Sequence, residues 1–405
     1  MTTMRPIRHT IPVEDALALL LKAAVPIERT ERVPIREAHN RVLASDLVSA
    51  CDVPPFARAA MDGYAVIAED TFGAGRYDAR VLRCIETVYT GQVPSRPLAR
   101  GECIEIATGA PMPEGADAVV MVEETERTDG GNVRIFTPVY PRQHVGQRAA
   151  DIAAGQPLLA RGTLLNPSRI GALAATGVRD VDVFVRPRVA IMSTGNEIIE
   201  PGQPLGPGQI YDINQFTLSS VTAAHGGVPV TGSTAPDSVP DLTRAIRQAA
   251  AEDVVVFSGG SSVGERDLLL DALQGAGEVL FHGVAVKPGK PMVFGTVGSV
   301  PVLGMPGYPT SCLSNAYLFL VPLLRAVARL PEHRPLSLRV PLSRRIVSTT
   351  GRHQFYTVRI VDGSATPAFK ASGDITSMAH ADGYIEIPAQ TDIVEAGQIV
   401  EVKLF

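Results

Sequence analysis

Small polar residues that could bind an anion follow an apolar strand in the stretch 254–271. Val254 to Phe257 is continuously apolar and mostly β-branched, which predicts a central parallel strand buried on both faces. A helix is predicted to begin near Asp267. Between them, glycine lets backbone N–H groups converge on a phosphate, because no Cβ obstructs the approach. The candidate phosphate-binding residues are Ser258, Gly259, Gly260, Ser262 and Gly264. The alternative is a tight strand-to-helix turn that binds nothing.

Two later loops carry residues that suit the same ligand. Lys287 and Lys290 flank a Pro-Gly turn between two apolar stretches, which places both lysines on a rigid loop and fixes their spacing. Two solvated surface lysines are the alternative. The strand after them ends in the turn 306–309, before an apolar helix predicted from about Cys312 to Leu330. Loops at the carboxyl ends of strands form the ligand crevice of a doubly wound sheet, so we expect all three loops to face one anionic ligand.

Strands and helices alternate around these loops. This alternation predicts a doubly wound parallel α/β domain over residues 183–330. The predicted elements before the first loop are a strand at 189–193, a helix at 214–225, a strand at 228–230 and a helix at 240–250.

The rest of the chain predicts three smaller units, so the fold class is multidomain α/β plus β. Apolar residues at helical spacing predict a helix over 13–24, and Asn166-Pro167 is an N-cap and N1 pair that opens a helix closed by Gly177. Short alternating segments between Gly/Pro turns predict β domains before and after the α/β domain. The predicted domains are an N-terminal split domain at 1–50 and 151–182, an inserted small β domain at 51–150 and a C-terminal β-barrel at 331–405.

Composition argues against several classes of function. A net charge of −5, with no Lys/Arg cluster interleaved with aromatic residues, argues against nucleic acid as a partner. The N-terminus lacks the apolar core of a signal peptide and the apolar runs fall short of a membrane span, which predicts a cytoplasmic protein without a membrane partner. Four dispersed cysteines and no H-E-x-x-H motif predict neither disulfides nor a transition-metal site.

Seven motifs in one order carry a family resemblance across nearly the whole chain. The matching stretches are Ala60-Met-Asp-Gly-Tyr-Ala65, Ala107 to Asp117, Ser193-Thr-Gly-Asn-Glu197, Gly208-Gln-Ile-Tyr-Asp212, Ser258 to Asp267, Lys287-Pro-Gly-Lys-Pro291 and Met305-Pro-Gly-Tyr-Pro309. With them the chain resembles the MoeA family of molybdopterin molybdenumtransferases. The resemblance implies an L-shaped homodimer of four-domain subunits, in which the α/β domain binds molybdopterin and meets the partner's N-terminal half.

The resemblance also implies a reaction. Molybdate is inserted into adenylylated molybdopterin, the phosphoanhydride is hydrolysed, and molybdenum cofactor and AMP are released. The resemblance implies magnesium as the metal, and carboxylates suit Mg²⁺, which prefers oxygen ligands. The molybdopterin adenylyltransferase and target molybdoenzymes are candidate partners.

Residue by residue, the resemblance assigns three sets of positions. Catalytic positions are Asp62, Thr108, Asp151, Glu197, Asp237 and Asp267, of which Glu197 and Asp267 are also assigned to the metal. Substrate-binding positions are the phosphate-binding residues above with Lys287, Lys290, Pro306, Pro309, Ser311, Arg352 and Ser377. Any of the acidic residues could instead cap a turn or helix, as Asp267 would at a helix N-terminus and Asp62 before Gly63.

The chain departs from the family pattern in two places. At Arg148-Ala-Ala-Asp151 the family usually has Arg-x-Gly-Glu-Asp, so Ala150 removes an expected carboxylate. Tyr308 replaces a commoner Asn in the Pro-Gly-X-Pro turn.

Two other functions share part of this pattern. A molybdopterin adenylyltransferase has the Ser-Gly-Gly loop but would lack the flanking β domains. A gephyrin-like scaffold would use such a domain to bind receptor loops, although this chain shows no appended domain or long linker.

Overall fold

The structure is a computed structural model that describes residue 7 and residues 9–232, 238–259 and 268–405. The chain forms two compact units. The first, the α/β unit, comprises Met1–Glu31, Asn40–Val42 and Val183–Phe405. The second, the β unit, comprises Arg32–His39 and Leu43–Asp182. The four predicted domain boundaries remain predictions.

A six-stranded sheet forms the centre of the α/β unit. In hydrogen-bonding order its strands are Val228–Thr231, Arg188–Ser193, Val254–Ser258, Val300–Met305, Val293–Val297 and Glu278–His282. The first four strands pair in parallel and the last two pair antiparallel. The antiparallel pair differs from the parallel sheet that was predicted. Only residues 298 and 299 separate Val293–Val297 from Val300–Met305, and so short a connection makes a hairpin rather than a crossover.

The predicted central strand is confirmed. Val254–Ser258 pairs in parallel with a strand on each side and is buried throughout. Val254 and Val256 belong to one hydrophobic cluster, whereas Val255 and Phe257 belong to another. This alternation places a core on each face of the sheet, and each buried side chain contributes about 1.5–3 kcal/mol.

Helices cover both faces of this sheet. They are Val13–Ala23, Asn214–Ala224, Val239–Ala249, Leu268–Ala276 and a helical stretch from Pro309 to Val327. Val13, Ala16 and Leu20 pack in the same cluster as Val254 and Val256, so the first helix belongs to the core of the α/β unit. Of the predicted phosphate-binding loop, the structure describes Ser258 and Gly259. Leu268 begins the helix that follows the loop.

The helical stretch Pro309–Val327 is by length and composition apolar enough to cross a membrane, and 72% of its most apolar window is buried in the protein. Cys312, Phe319, Leu320 and Leu324 are fully buried in the main cluster. This stretch is therefore buried like a core helix, although the sequence had predicted that every apolar run falls short of a membrane span. A π-helical segment, Ala316–Leu320, interrupts it just before Pro322, which has no N–H to continue the ladder.

The C-terminal part of the α/β unit is the predicted β structure. Its six-stranded sheet follows the order Val286–Lys287, His353–Val361, Gly383–Ile387, Ile399–Leu404 and Ser337–Pro341, with Ser364–Pro367 beside His353–Val361. A short ladder joins Ile346–Val347 to Ile393–Val394, and the helix Thr376–Ala379 follows the Ser372 loop. The strand Val286–Lys287 comes from the α/β domain, so this ladder ties the two parts together.

The β unit contains a six-stranded β sheet of its own, as predicted for the inserted domain. Its strands follow the order Ala118–Met121, Gly63–Val66, Glu102–Ile106, Arg80–Val88, Asn132–Ile135 and Thr125–Arg127. Cys84 and Cys103 lie opposite each other in this sheet, although the sequence separates them widely, and both are free thiols.

Shorter elements complete the chain. The predicted helix after Asn166 is confirmed as Pro167–Ala175, with the Asn166 side chain accepting the Arg169 N–H at 3.0 Å. Short ladders join Leu47–Val48 to Pro157–Leu159 and Arg58–Ala59 to Val145–Gly146. The other short elements are the strands Thr30–Pro34, Asp180–Phe184, Ile198–Ile199 and Ile210–Tyr211 and the 3₁₀ helices Ile35–Glu37, Ala68–Thr71 and Val122–Glu124.

A half-buried histidine pair makes the stability of the α/β unit sensitive to acid. The His225 ring packs edge-on against His333 at 4.7 Å. Burial, with His333 and Arg325 nearby, lowers the pKa of His225 from 6.5 to about 4. Between pH 6.5 and 4, His225 therefore binds a proton in the unfolded chain but stays neutral in the folded chain. The free energy of unfolding consequently falls as pH falls through this window.

We expect His225→Gln to flatten the acid side of the stability profile, because the amide does not titrate. Thermal unfolding temperatures from pH 7.5 to 4 measure the effect. His380→Gln, at an exposed histidine of the same unit, is the control. If His225→Gln loses stability as steeply as wild type, the acid-sensitive group lies elsewhere.

Candidate functional site

The α/β unit contains an open cavity of about 940 Å³. All the residues that line it belong to this unit. The predicted site residues that line it are Glu197, Ser258, Gly259, Lys287, Lys290, Pro306, Pro309, Ser311 and Arg352. The three loops predicted to face one ligand therefore do meet at one cavity.

Three strand-end loops approach one another closely at Gly259. The φ of Gly259 is +102°, and a Cβ there would lie 2.5 Å from the Thr194 carbonyl oxygen. Its N–H donates to the Met305 carbonyl at 3.2 Å. On the other side, a Cβ on Gly307 would lie 3.4 Å from the Gly259 Cα. Only glycine fits position 259 without displacing the neighbouring loop.

Hydroxyl groups reinforce the same junction. Ser193 and Ser258 are buried at the ends of adjacent parallel strands, with their Oγ atoms 3.2 Å apart. The Thr194 N–H donates to the Ser258 carbonyl at 2.9 Å, which extends the ladder by one residue. The start of the predicted phosphate-binding loop is thus fixed by its neighbours.

The lysine loop is held by Asn315. Asn315 is fully buried, and its Nδ2 donates to the Gly289 carbonyl at 2.9 Å. Gly289 has a φ of +104°, and a Cβ there would lie 2.3 Å from the Asn315 Oδ1. Gly289 is therefore required both for the turn and for the close contact, which fixes the spacing of Lys287 and Lys290.

Both lysines are anchored to neutral oxygen atoms. The Lys287 Nζ donates to the Thr349 Oγ1 at 2.7 Å, and the Lys290 Nζ donates to the Ile7 carbonyl at 2.8 Å. Neither of these partners carries a negative charge that would offset the ammonium group. The charges of both lysines therefore stay available to an anion in the cavity.

Arg352 reaches the cavity from the C-terminal β structure. The parallel ladder that pairs Val286 with His353 and Lys287 with Gln354 places Arg352 beside the lysine loop. With Lys287 and Lys290, it gives the cavity three cationic residues against the carboxylates of Glu197 and Asp212, counted over the described residues. The cavity thus has a positive balance that favours an anionic ligand.

A half-buried charge cluster supports this ladder. The Glu386 carboxylate lies 3.1 Å from the His353 Nε2 and accepts from the Lys403 Nζ at 2.6 Å. Burial alone would raise the pKa of Glu386, but its bonds to His353 and Lys403 outweigh this and lower it to about 2. Glu386 stays ionised and holds the strand that carries Arg352.

Glu197 is the predicted metal ligand that the structure describes. Gly195 has a φ of +138°, and a Cβ on it would lie 2.7 Å from Glu197 Oε1 and 2.8 Å from Oε2. The missing side chain of Gly195 thus makes room for the carboxylate beside the cavity. Among the described residues no group of three or more His, Cys, Asp or Glu side chains could hold a metal by itself.

Sequence reasoning missed several residues that line the cavity. They include Thr194, Asp212, Asn214, Phe369 and Ser372. Asp212 ends the motif 208–212. Its carboxylate accepts the Gln215 N–H at 3.0 Å and so caps the predicted helix 214–225. An Asp just before a predicted helix is a sequence pattern that could have identified this residue. Phe369 and Ser372 belong to a loop without any motif, and only tertiary structure brings them there.

Asp62 and Thr108, the predicted acidic and hydroxyl pair, are brought together within the β unit. The Asp62 Oδ1 accepts from the Thr108 N–H at 2.7 Å and from its hydroxyl at 2.8 Å. These two hydrogen bonds, the backbone one first, lower the pKa of Asp62. Asp62 is therefore an exposed carboxylate that stays ionised.

The departure at residues 148–151 also lies in the β unit. Asp151 is exposed, and the Arg148 Nε donates to Asp52 at 2.5 Å. Ala149 has a φ of +56°, a left-handed conformation that glycine adopts at less cost. This conformation fits the family pattern, in which glycine is usual just before the expected glutamate.

The other predicted site residues fall into two groups. Ser377 is described by the structure but does not line the cavity, and five others lie outside the described residues. Ser377 is buried, and its hydroxyl donates to the Asp374 carbonyl at 2.7 Å. Asp237, Gly260, Ser262, Gly264 and Asp267 lie outside the described residues.

Family models match the chain in three consecutive segments. The MoeA N-terminal region (domain I and II) matches residues 11–177, and a probable molybdopterin binding domain matches residues 190–326. The MoeA C-terminal region (domain IV) matches residues 339–405. These three models together span most of the 405 residues.

Named relatives match at full length. Molybdopterin molybdenumtransferase 2 of Mycobacterium tuberculosis is 35% identical over 96% of this chain and 97% of its own length. The molybdopterin molybdenumtransferase of a Nostoc species is 33% identical over 92% of this chain and 88% of its own.

Solved structures agree with these matches. Two structures of the molybdopterin biosynthesis protein MoeA from Pyrococcus horikoshii are 40% and 33% identical to this chain, with TM-scores of 0.85 and 0.84. Each match covers 98% of this chain. It covers 99% of the first solved chain and 100% of the second. The predicted fold class is therefore confirmed. The chain belongs to the MoeA family of molybdopterin molybdenumtransferases.

Proposed function

We propose that the protein is a molybdopterin molybdenumtransferase of molybdenum cofactor biosynthesis. It inserts molybdate into adenylylated molybdopterin and releases molybdenum cofactor and AMP. The observation that carries this proposal is the cavity of about 940 Å³ where the Gly259 loop, the lysine pair and Arg352 meet. A phosphate-bearing substrate and a tetrahedral oxyanion both need such a set of donors and cations.

Each part of the cavity suits one part of the substrate. Backbone N–H groups of the loop that begins at Ser258 and Gly259 would bind a phosphate without side-chain charge. Lys287 and Lys290 would hold molybdate, because their ammonium groups are tied to neutral oxygen atoms and keep their charge available. Arg352, which lies beside the lysine loop in the same cavity, would bind a further anionic oxygen of the ligand.

Magnesium fits this site only together with the substrate. Mg²⁺ is commonly bound by one or two carboxylates plus substrate phosphates and water, and Glu197 is an exposed carboxylate at the cavity. Glu197 would hold the ion, with Asp267 as the second assigned ligand. A bound Mg²⁺ would polarise an oxygen of the phosphoanhydride.

A homodimer is the assembly we propose for the active form. The family resemblance implied it, and the proposed residues Asp62, Thr108 and Asp151 belong to a different compact unit from the cavity residues. Light scattering that finds only a fully active monomer would contradict it.

We expect the purified protein to release AMP from adenylylated molybdopterin when molybdate is added. Chromatographic quantification of AMP, with and without molybdate and Mg²⁺, measures this. A molybdopterin adenylyltransferase would instead consume ATP and molybdopterin, and a scaffold would catalyse neither reaction. Wild-type protein that is folded but releases no AMP would refute the proposed function.

Lys287→Ala and Lys290→Ala should each raise the molybdate concentration needed for half-maximal AMP release. Losing a hydrogen bond to a charged group costs about 1.5–3 kcal/mol, which corresponds to a roughly tenfold to hundredfold shift. Binding of the pterin substrate should change less. Lys22→Ala, at an exposed lysine on the first helix, is the control. An unchanged molybdate dependence would make the two lysines bystanders.

Glu197→Gln should raise the Mg²⁺ concentration needed for AMP release, because an amide oxygen is a poorer ligand for a hard cation than a carboxylate. Excess Mg²⁺ should restore part of the activity. A magnesium series on wild type, Glu197→Gln and the control Glu200→Gln measures the shift. Equal Mg²⁺ dependence of all three proteins would remove Glu197 from the metal site.

A further inference from the structure

Tyr308 is an aromatic residue in the cavity lining that lacks an evident structural role. It is 67% exposed, and its hydroxyl has no hydrogen-bond partner in the part of the chain that the structure describes. The other aromatic residues of the lining are engaged. The Tyr211 hydroxyl donates to the Gln203 carbonyl at 3.0 Å, and the Phe369 ring packs against Tyr356 at 5.3 Å.

The backbone of Tyr308 is fixed from several directions. The Asn214 Nδ2 donates to the Gly307 carbonyl at 2.8 Å, just before Tyr308. Just after it, the Thr310 N–H donates to the Ser372 carbonyl at 3.1 Å. The Tyr308 carbonyl accepts the Cys312 N–H at 2.8 Å and starts the helix. The ring therefore projects from a rigid turn, and a tyrosine has few rotamers to lose on binding.

One edge of the ring faces a loop that leaves room for it. A Cβ on Gly373 would lie 3.7 Å from the Tyr308 Cδ1, so this loop restrains the ring without covering it. The exposed fraction of 67% means that most of the ring stays accessible. An aromatic face held in place at the edge of a phosphate-binding cavity is suited to stacking against a planar heterocycle.

We propose that Tyr308 determines specificity at the ring end of the ligand, by stacking on its heteroaromatic ring. This inference rests on the proposed function, because adenylylated molybdopterin carries two such rings, the pterin and the adenine. Lys287, Lys290 and Arg352 would bind the phosphate and oxyanion end of the ligand. Tyr308 would recognise the ring to which the phosphate is attached. The Asn that is commoner at this position in the family offers no aromatic face.

Isothermal titration calorimetry with three simple ligands tests the proposal. AMP carries adenine and a phosphate, neopterin phosphate carries a pterin and a phosphate, and inorganic phosphate carries no ring. Tyr308→Asn should weaken binding of one ring-bearing ligand about tenfold, the scale expected for base–aromatic stacking. It should leave phosphate binding unchanged, and Tyr308→Phe should bind like wild type. The ligand that weakens identifies the ring that stacks.

Controls separate stacking from damage to the turn. Tyr77→Asn, at a fully exposed tyrosine of the β unit, should change no binding constant. If Tyr308→Asn binds both ring-bearing ligands like wild type, the proposal is overturned. Equal loss of phosphate binding overturns it as well, because the turn rather than the ring would then be responsible.

The assay of AMP release distinguishes this proposal from the proposed function. An active wild type together with an unchanged KM for adenylylated molybdopterin in Tyr308→Asn refutes the role of Tyr308 alone. An inactive wild type refutes the proposed function, while the calorimetric comparison still decides whether Tyr308 stacks on a phosphate-bearing ring.

Discussion

The close approach of three backbone segments at Gly259 is the constraint on which the cavity depends. Neighbouring strands lie about 4.8 Å apart, so the loops that leave their carboxyl ends emerge almost in contact. A Cβ at 259 would fall 2.5 Å from the Thr194 carbonyl oxygen, and the Gly307 turn packs from the opposite side. Glycine at this point lets the backbone, rather than long side chains, form this end of the cavity. The lysine loop and Arg352 are then placed around this fixed end by their own ladders and hydrogen bonds.

Local patterns predicted the elements that position the site, because each rests on a short-range rule. The apolar run 254–257, the helical spacing of residues 13–24 and the Asn166-Pro167 cap all specify structure within a few residues, and all three are confirmed. The antiparallel edge of the sheet was missed although a two-residue connection marks it. Sheet geometry predicted that the lysine loop faces an anion, whereas the assignment of Lys287, Lys290 and Arg352 to molybdate came from the family resemblance and remains a prediction. The cavity position of Phe369 could not be predicted, because a two-residue ladder between 286–287 and 353–354 brings its domain there.

Charge compensation divides the cationic residues of the α/β unit into two groups. Lys403 bonds to the Glu386 carboxylate, which also lies beside His353, so its charge serves the architecture. Lys287 and Lys290 donate to a hydroxyl and to a backbone carbonyl, which orient an ammonium group without neutralising it. A neutral acceptor is what a binding lysine requires, because a carboxylate partner would compete with the anionic ligand.

Two buried asparagines show what this arrangement costs in stability. The amide nitrogen atoms of Asn214 and Asn315 hold the carbonyls of Gly307 and Gly289, at the two loops that present Tyr308 and the lysines. In both residues the buried Oδ1 has no hydrogen-bond partner among the described residues. A buried acceptor left unpaired costs about 1–3 kcal/mol, so selection for stability alone would replace these amides or pair them. Their shared task of fixing a cavity loop explains why the fold tolerates the loss: the loop geometry depends on donors that an apolar side chain cannot supply.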